Sequence, residues 1–200
     1  MNDLEEKRLL YPRVTEIIGK QNEAEMRAIP LEMLANATLR GTAVHQYCAA
    51  WLKKLWIPEV RPEYAPYFSA FTDWASSHIE AVLHTDQRLY DDSMRFSGEF
   101  DMIVQIGGKK ILLDLKTSSA PSKTWPLQLS AYAHLCKLNG YEFDECWILH
   151  LKKDYRKREE VEALPSIRAN VVTYQDLSSF WDIFSSSLTC YDYFHRKDVK

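Results

Sequence analysis

The sequence predicts a single α/β domain. Helix-period and strand-period segments alternate along the chain, two strands close on a Gly-Gly turn, and no linker, repeat or low-complexity tract divides the 200 residues. A chain of this length can bury a substantial core without a second domain.

Residues 1–40 read as irregular structure or short helices, an N-terminal extension interrupted by Pro12 and Pro30. From Gly41 to Leu55, Val44, Cys48, Trp51, Leu52 and Leu55 form an apolar stripe at helical spacing, which predicts an amphipathic helix. Pro58, Pro62 and Pro66 mark a loop before an aromatic-rich helix over about 64–83. Strands are expected at 87–91, 98–106 and 109–116. Thr124 or Pro126 opens a helix that Asn139-Gly140 stops after Leu138. The stretch "ECWILHLK" (145–152) reads as a buried strand, 167–174 as another, and Tyr174 to Phe194 as a closing helix.

The hairpin at 98–116 poses a chemical question. With Gly107-Gly108 as a two-residue turn, positions pair whenever their numbers sum to 215. Asp101 then faces Asp114, and Glu99 faces Lys116. Alternation assigns Phe100, Met102, Val104, Ile106, Ile111, Leu113 and Leu115 to one buried face. The other face carries Ile103 and Leu112, then Asp101, Asp114, Glu99 and Lys116 at the open end. Carboxylates directly opposite one another, with Cβ atoms roughly 5 Å apart, repel. A hard divalent cation such as Mg2+ relieves that repulsion.

A net charge of −3 excludes a globally basic nucleic-acid binder, so any basic surface must be local. No run approaches a membrane span, and the opening MNDLEEKRLL is too charged for a secretory signal, which predicts a cytoplasmic location and no membrane partner. Cys48, Cys136, Cys146 and Cys190 form no C-x-x-C pair and fit neither a zinc ribbon nor a ferredoxin-type spacing. Buried reduced thiols are expected, and an iron–sulfur cluster only if the four converge in space.

Gly98-x-x-Asp101, Asp114-x-Lys116 and Gln128-x-x-x-Tyr132, preceded by "GTAVH" from Gly41 to His45, together resemble the ordered motifs of the PD-(D/E)XK nuclease superfamily, in particular its RecB-like exonuclease branch. A lone D-x-K carries little weight. Four motifs in order over residues 41–132, on an in-register hairpin, carry much more. The stretch "YPRVTEIIG" (11–19) is similar to a P-x-V-T-x-I segment of phage-type exonucleases.

The resemblance implies a restriction-endonuclease-like core, a central mixed β-sheet flanked by helices. It implies Mg2+ or Mn2+ held by His45, Asp101, Asp114 and the backbone carbonyl of Leu115. Asp101, Asp114, Lys116, Gln128 and Tyr132 would carry the chemistry, with Lys116 reaching the attacking water and the phosphate, and Gln128 and Tyr132 contacting DNA from one helix face. Asp86 stands where relatives carry a glutamate before a strand, and Glu99, unusual within Gly-x-x-Asp, is expected to pair with Lys116. Lys123 and Trp125, and the basic run "LKKDYRKRE" from Leu151 to Glu159 with Tyr155 inside it, are candidate nucleic-acid contacts.

The implied activity is metal-dependent DNA exonuclease action in replication, recombination or repair. The chain could be phage-encoded and work in a bacterial or phage-infected cell. DNA with a free end, and a helicase or single-strand-binding or annealing protein, are the implied partners. The alternatives are a structure-specific or restriction-type endonuclease, and a non-catalytic DNA-processing subunit.

Overall fold

A computed structural model describes residues 3–21, 23, 27–153, 166–174 and 176–195. Five strands form one mixed sheet in chain order: β1 (Ala81–Asp91), β2 (Phe96–Ile106), β3 (Lys109–Lys116), β4 (Glu145–Lys153) and β5 (Ile167–Thr173). Neighbours run antiparallel except β3 and β4. A parallel pair needs a crossover, and here it is a helix, Thr124–Leu138.

Among the described residues the main helices are α1 (Asp3–Leu10), α2 (Val14–Gln21), α3 (Leu31–Leu52), α4 (Ala65–His78), α5 (Thr124–Leu138) and α6 (Ser178–His195). They cover both faces of the sheet. On one face Val14 and Ile17 of α2, Leu129 and Leu135 of α5 and Phe184 of α6 bury against Phe96, Ile103, Leu112 and Ile148. On the other, Val44 and Cys48 of α3 and Phe71 of α4 pack on Val104, Ile111, Leu113 and Leu149. The expected α/β fold with a mixed central sheet is the one observed.

Two boundaries differ most from expectation, while α3 also ends earlier, at Leu52, and α6 starts later, at Ser178. The helix expected from Gly41 begins at Leu31, directly after Pro30. Its first turns expose Leu31, Met33 and Leu39, so that part of the helix projects no core stripe for periodicity to detect. The helix expected over 64–83 stops at His78, and β1 begins at Ala81. Residues 79–83 are apolar except for Glu80, but 81–83 lie on the outer strand, where Val82 and Leu83 stay exposed. Short apolar runs of this kind suit either structure.

The segment 11–19 has a structural explanation. Pro12 offers its carbonyl to the Ser97 amide (2.9 Å), and Glu16 returns a carboxylate to the Arg13 amide (3.0 Å), capping α2. Val14 and Ile17 then fill the core beside β2.

Candidate active site

The hairpin register follows the expected sum. Pairs run from Ile106–Lys109 to Met102–Leu113, and Gly107 and Gly108 take φ of 57° and 76°, the left-handed geometry of this turn. The ladder stops one step short of Asp101 and Asp114. Beyond that point β2 stays with β1, as far as Asp91–Phe96, while β3 stays with β4, as far as Lys116–His150. The two strands therefore fork. Instead of a ladder bond, the Leu115 amide donates to Asp101 Oδ2 at 2.7 Å.

The alternation of β2 also slips at the fork. Phe100 packs with Ile103 in one core, whereas Met102 and Val104 pack in the other, so Phe100 does not share the face expected for it. Asp86, a non-glycine residue at φ 47°, lies on β1 between the partners of Met102 and Phe100. The slip turns Asp101 towards α3, where His45 Nδ1 lies 3.1 Å from Asp101 Oδ1. Lys116 faces α5 instead, and its Nζ donates to Gln128 Oε1 at 2.7 Å and lies 2.6 Å from Asp114 Oδ2. Gln128 Nε2 in turn donates to the Tyr132 hydroxyl at 2.8 Å. Every expected site residue is thus gathered at the fork or on the two helices beside it.

The expected Glu99–Lys116 pair does not form. Glu99 sits directly opposite Arg88 in the β1–β2 register and takes its guanidinium at 2.9 Å. The reason is the fork, because the β2–β3 ladder ends before these two residues and leaves them on opposite sides of the sheet.

Burial and charge set the protonation of the pair. Burial works to raise the Asp101 carboxyl, but His45, Lys116 and the Leu115 amide outweigh it and hold its pKa below the ordinary value. Asp114 is pushed up, by burial first and by Asp101, despite Lys116. His45 shows the reverse balance: burial opposes its charge, yet Asp101 leaves its pKa raised. Burial and the Asp114 charge raise Tyr132, which stays a neutral hydroxyl.

The donor set fits a hard cation. It comprises two carboxylates that repel each other, an imidazole whose Nδ1 is engaged with one of them, and the buried Asp114 Oδ2, which has an ion pair but no aligned hydrogen bond. Among the described residues no three His, Cys, Asp or Glu side chains already converge on one point. Leu115 engages the site through its amide.

A cleft of about 620 Å³ runs along α3, lined by Gly41, His45, Ala49, Lys53, Asp86 and Asp101 among others. Within it Lys53 neutralises Asp86 (2.7 Å) and Arg88 neutralises Glu99. Arg40, which sequence reasoning passed over, stacks its guanidinium on Tyr67 and keeps a buried Nε without a hydrogen-bond partner among the described residues. Only its position one residue before the "GTAVH" motif could have drawn attention to it.

Trp125 is no surface contact. It is buried and packs edge-on against His150, whereas Lys123 is exposed at the start of α5. Of the basic run 151–159, residues 154–159 lie outside the described residues. Cys48, Cys136 and Cys146 are buried free thiols, as expected, and Cys190 is exposed.

A forked hairpin bearing two carboxylates and a lysine at one end of a mixed, helix-flanked sheet is the arrangement of the restriction-endonuclease-like fold. The profile of the PD-(D/E)XK nuclease superfamily matches residues 10–178, and the chain belongs to that superfamily. No curated protein matches the chain. Among solved structures, a provisionally named exonuclease from Eubacterium rectale aligns with a TM-score of 0.48 and 11% identity, over 76% of this chain and 65% of its own. The chain thus spans about two thirds of that protein's length. The protein SSO0001 aligns with a TM-score of 0.40 and 13% identity, over 89% of this chain and 75% of its own.

Proposed function

We propose that this nuclease is a metal-dependent DNA exonuclease of the RecB-like branch, hydrolysing phosphodiester bonds from a free end. The observation that carries the reading is the chain of contacts across the fork: His45 to Asp101 on one side, and Tyr132 through Gln128 to Lys116 and Asp114 on the other. It links all four motifs of the resemblance.

In this reading His45, Asp101, Asp114 and the Leu115 carbonyl hold Mg2+ or Mn2+. Such an ion neutralises phosphate charge and lowers the pKa of a bound water. The protein's own groups do the rest. Asp101, kept ionised, attracts the ion and orients His45. Lys116, fixed by Asp114 and Gln128, supplies an ammonium to a phosphate oxygen and the attacking water. Hydrolysis joins that water's oxygen to phosphorus and releases the 3′ or 5′ oxygen, which leaves with a proton. Tyr132, a hydroxyl at working pH, keeps Gln128 aimed at Lys116.

The four-motif order is also what favours action in replication, recombination or repair, alongside a helicase or a single-strand-binding or annealing protein. Among the described residues no helix is long and apolar enough to cross a membrane.

The test is degradation of end-labelled single- and double-stranded DNA with Mg2+, with Mn2+ and with EDTA. Metal-dependent loss of label from linear DNA, with covalently closed circles left intact, is the expected result. Cleavage of closed circles would make the protein an endonuclease, and no cleavage under any condition would leave the non-catalytic reading.

A further inference from the structure

The catalytic cleft does not end at the catalytic residues. From Gly41 to Lys53 it follows twelve residues of α3, about 18 Å at 1.5 Å per residue. His45 lies near one end, and Leu55 closes the other. Leu55 also lines a second recess of about 710 Å³ of mixed character, where Trp51, Ile57 and Ile79 stand beside Lys54, Ser76 and Glu80. The recess and the cleft meet at Leu55.

The lip shared by the two cavities is unusual chemically. Leu55 is 60% exposed, and Trp56 beside it is 84% exposed. Large apolar side chains gathered at the surface mark a binding site more often than chance. They also stand on fixed backbone. Lys54 takes φ 55°, and the Leu55 amide returns to the Ala50 carbonyl at 2.9 Å, so the turn is closed onto the end of α3. An exposed indole one residue beyond this closed turn is suited to receive a flat ring.

Paired charges leave the cleft open to a polyanion away from the fork. The cleft's non-catalytic acids, Asp86 and Glu99, are each neutralised by a cation, which leaves the uncompensated demand for positive charge at the fork. Lys54, which lines the recess and follows the Asp86-paired Lys53, lies where a backbone phosphate would pass.

We propose that Trp56 is a base-stacking platform, and that the recess behind Leu55 receives unpaired nucleobases of the strand whose phosphate is cleaved. The assignment rests on the nuclease reading and deepens it. The cleaved strand runs along α3 from the fork towards Leu55, and it is single-stranded there, because a base stacked between neighbours inside a duplex has no face free for the indole. A strand without bases loses this contact while keeping its phosphates.

The experiment compares fluorescein-labelled oligothymidylate with an abasic oligonucleotide of equal length, bound to the full chain in EDTA. Stacking on one aromatic residue predicts that wild type prefers the thymidylate strand by on the order of tenfold. Trp56→Ala should abolish most of that preference without changing abasic binding, and Trp56→Phe should restore much of it. Because Trp56 is exposed, all three proteins should melt at the same temperature. Unchanged preference in Trp56→Ala overturns the proposal. So does a wild-type dimer that Trp56→Ala converts to monomer with DNA binding unaltered, since the lip is then a contact between copies. Failure of the nuclease reading shows elsewhere, as absence of Mn2+-dependent cleavage by wild type.

Discussion

At the scale of single residues, the fork divides labour between side chains that lie close in sequence. Asp101 and Lys116 are hairpin neighbours, yet one answers to α3 and the other to α5. Lys116→Ala should therefore retain Mn2+ binding and DNA binding but lose the chemical step, seen as single-turnover cleavage reduced by several orders of magnitude. Gln128→Ala removes one of two anchors on the ammonium and should cost roughly tenfold, by misplacing a group that is still present. Glu99→Gln is the contrasting case. Its partner is Arg88 at the surface, so stability should change by less than about 1 kcal/mol and cleavage by no more than a few-fold. A tenfold loss in that variant would return Glu99 to Lys116. Asp114→Asn should abolish cleavage while leaving the metal-free protein as stable as wild type or more so, because it removes a buried carboxylate that Asp101 repels. Thermal melts in EDTA check this.

At the scale of elements, the site depends on how closely α5 lies on β2. A Cβ at Gly98 would come within 2.7 Å of Leu135 Cδ1 and 2.9 Å of Tyr132 Cε1, both on α5. The glycine in Gly-x-x-Asp therefore serves a close approach of helix to strand. Gly98→Ala gains up to about 1 kcal/mol through the unfolded chain, but overpacking a core contact costs about 1–3 kcal/mol. The variant should be destabilised in urea melts and should lose activity along with Tyr132 and Gln128. The far end of the β1–β2 hairpin is secured differently. Buried Asp91 accepts from the Ser93 amide and hydroxyl and the Met94 amide, and its Oδ2 lies 2.7 Å from His134 Nε2. Burial alone would raise its carboxyl, but these bonds outweigh burial and hold its pKa below the ordinary 3.8. A lowered carboxylate contributes stability above the unfolded value and loses it as pH falls through the folded one. Asp91→Ala should thus cost about 3 kcal/mol at neutral pH, and the gap to wild type should begin to narrow only as pH falls below about 4.

At the scale of the whole molecule, the metal-free site opposes the fold that builds it. Saturable Mn2+ should raise the melting temperature of wild type, by about 2.7 kcal/mol of stabilisation at a hundredfold excess over Kd, and Asp114→Asn should lose the response. Much of this organisation was legible in the chain. The Gly107-Gly108 turn fixed the register by local sterics, so Met102–Leu113 and its neighbours could be paired by arithmetic. The opening at Thr124 or Pro126 and the stop at Asn139-Gly140 marked α5 for the same local reason. Motif order identified the residues that meet at the fork. What the sequence could not carry is where a ladder ends. That depends on β1 and β4 competing for β2 and β3, and it alone sent Glu99 to Arg88 and swung Phe100 to the other core. Nor could periodicity find the first turns of α3, which bury no stripe, or tell buried Trp125 from exposed Trp56. Local conformation follows from side chains a few residues apart, whereas burial and pairing partners are set by elements distant in sequence, and only their packing together decides them.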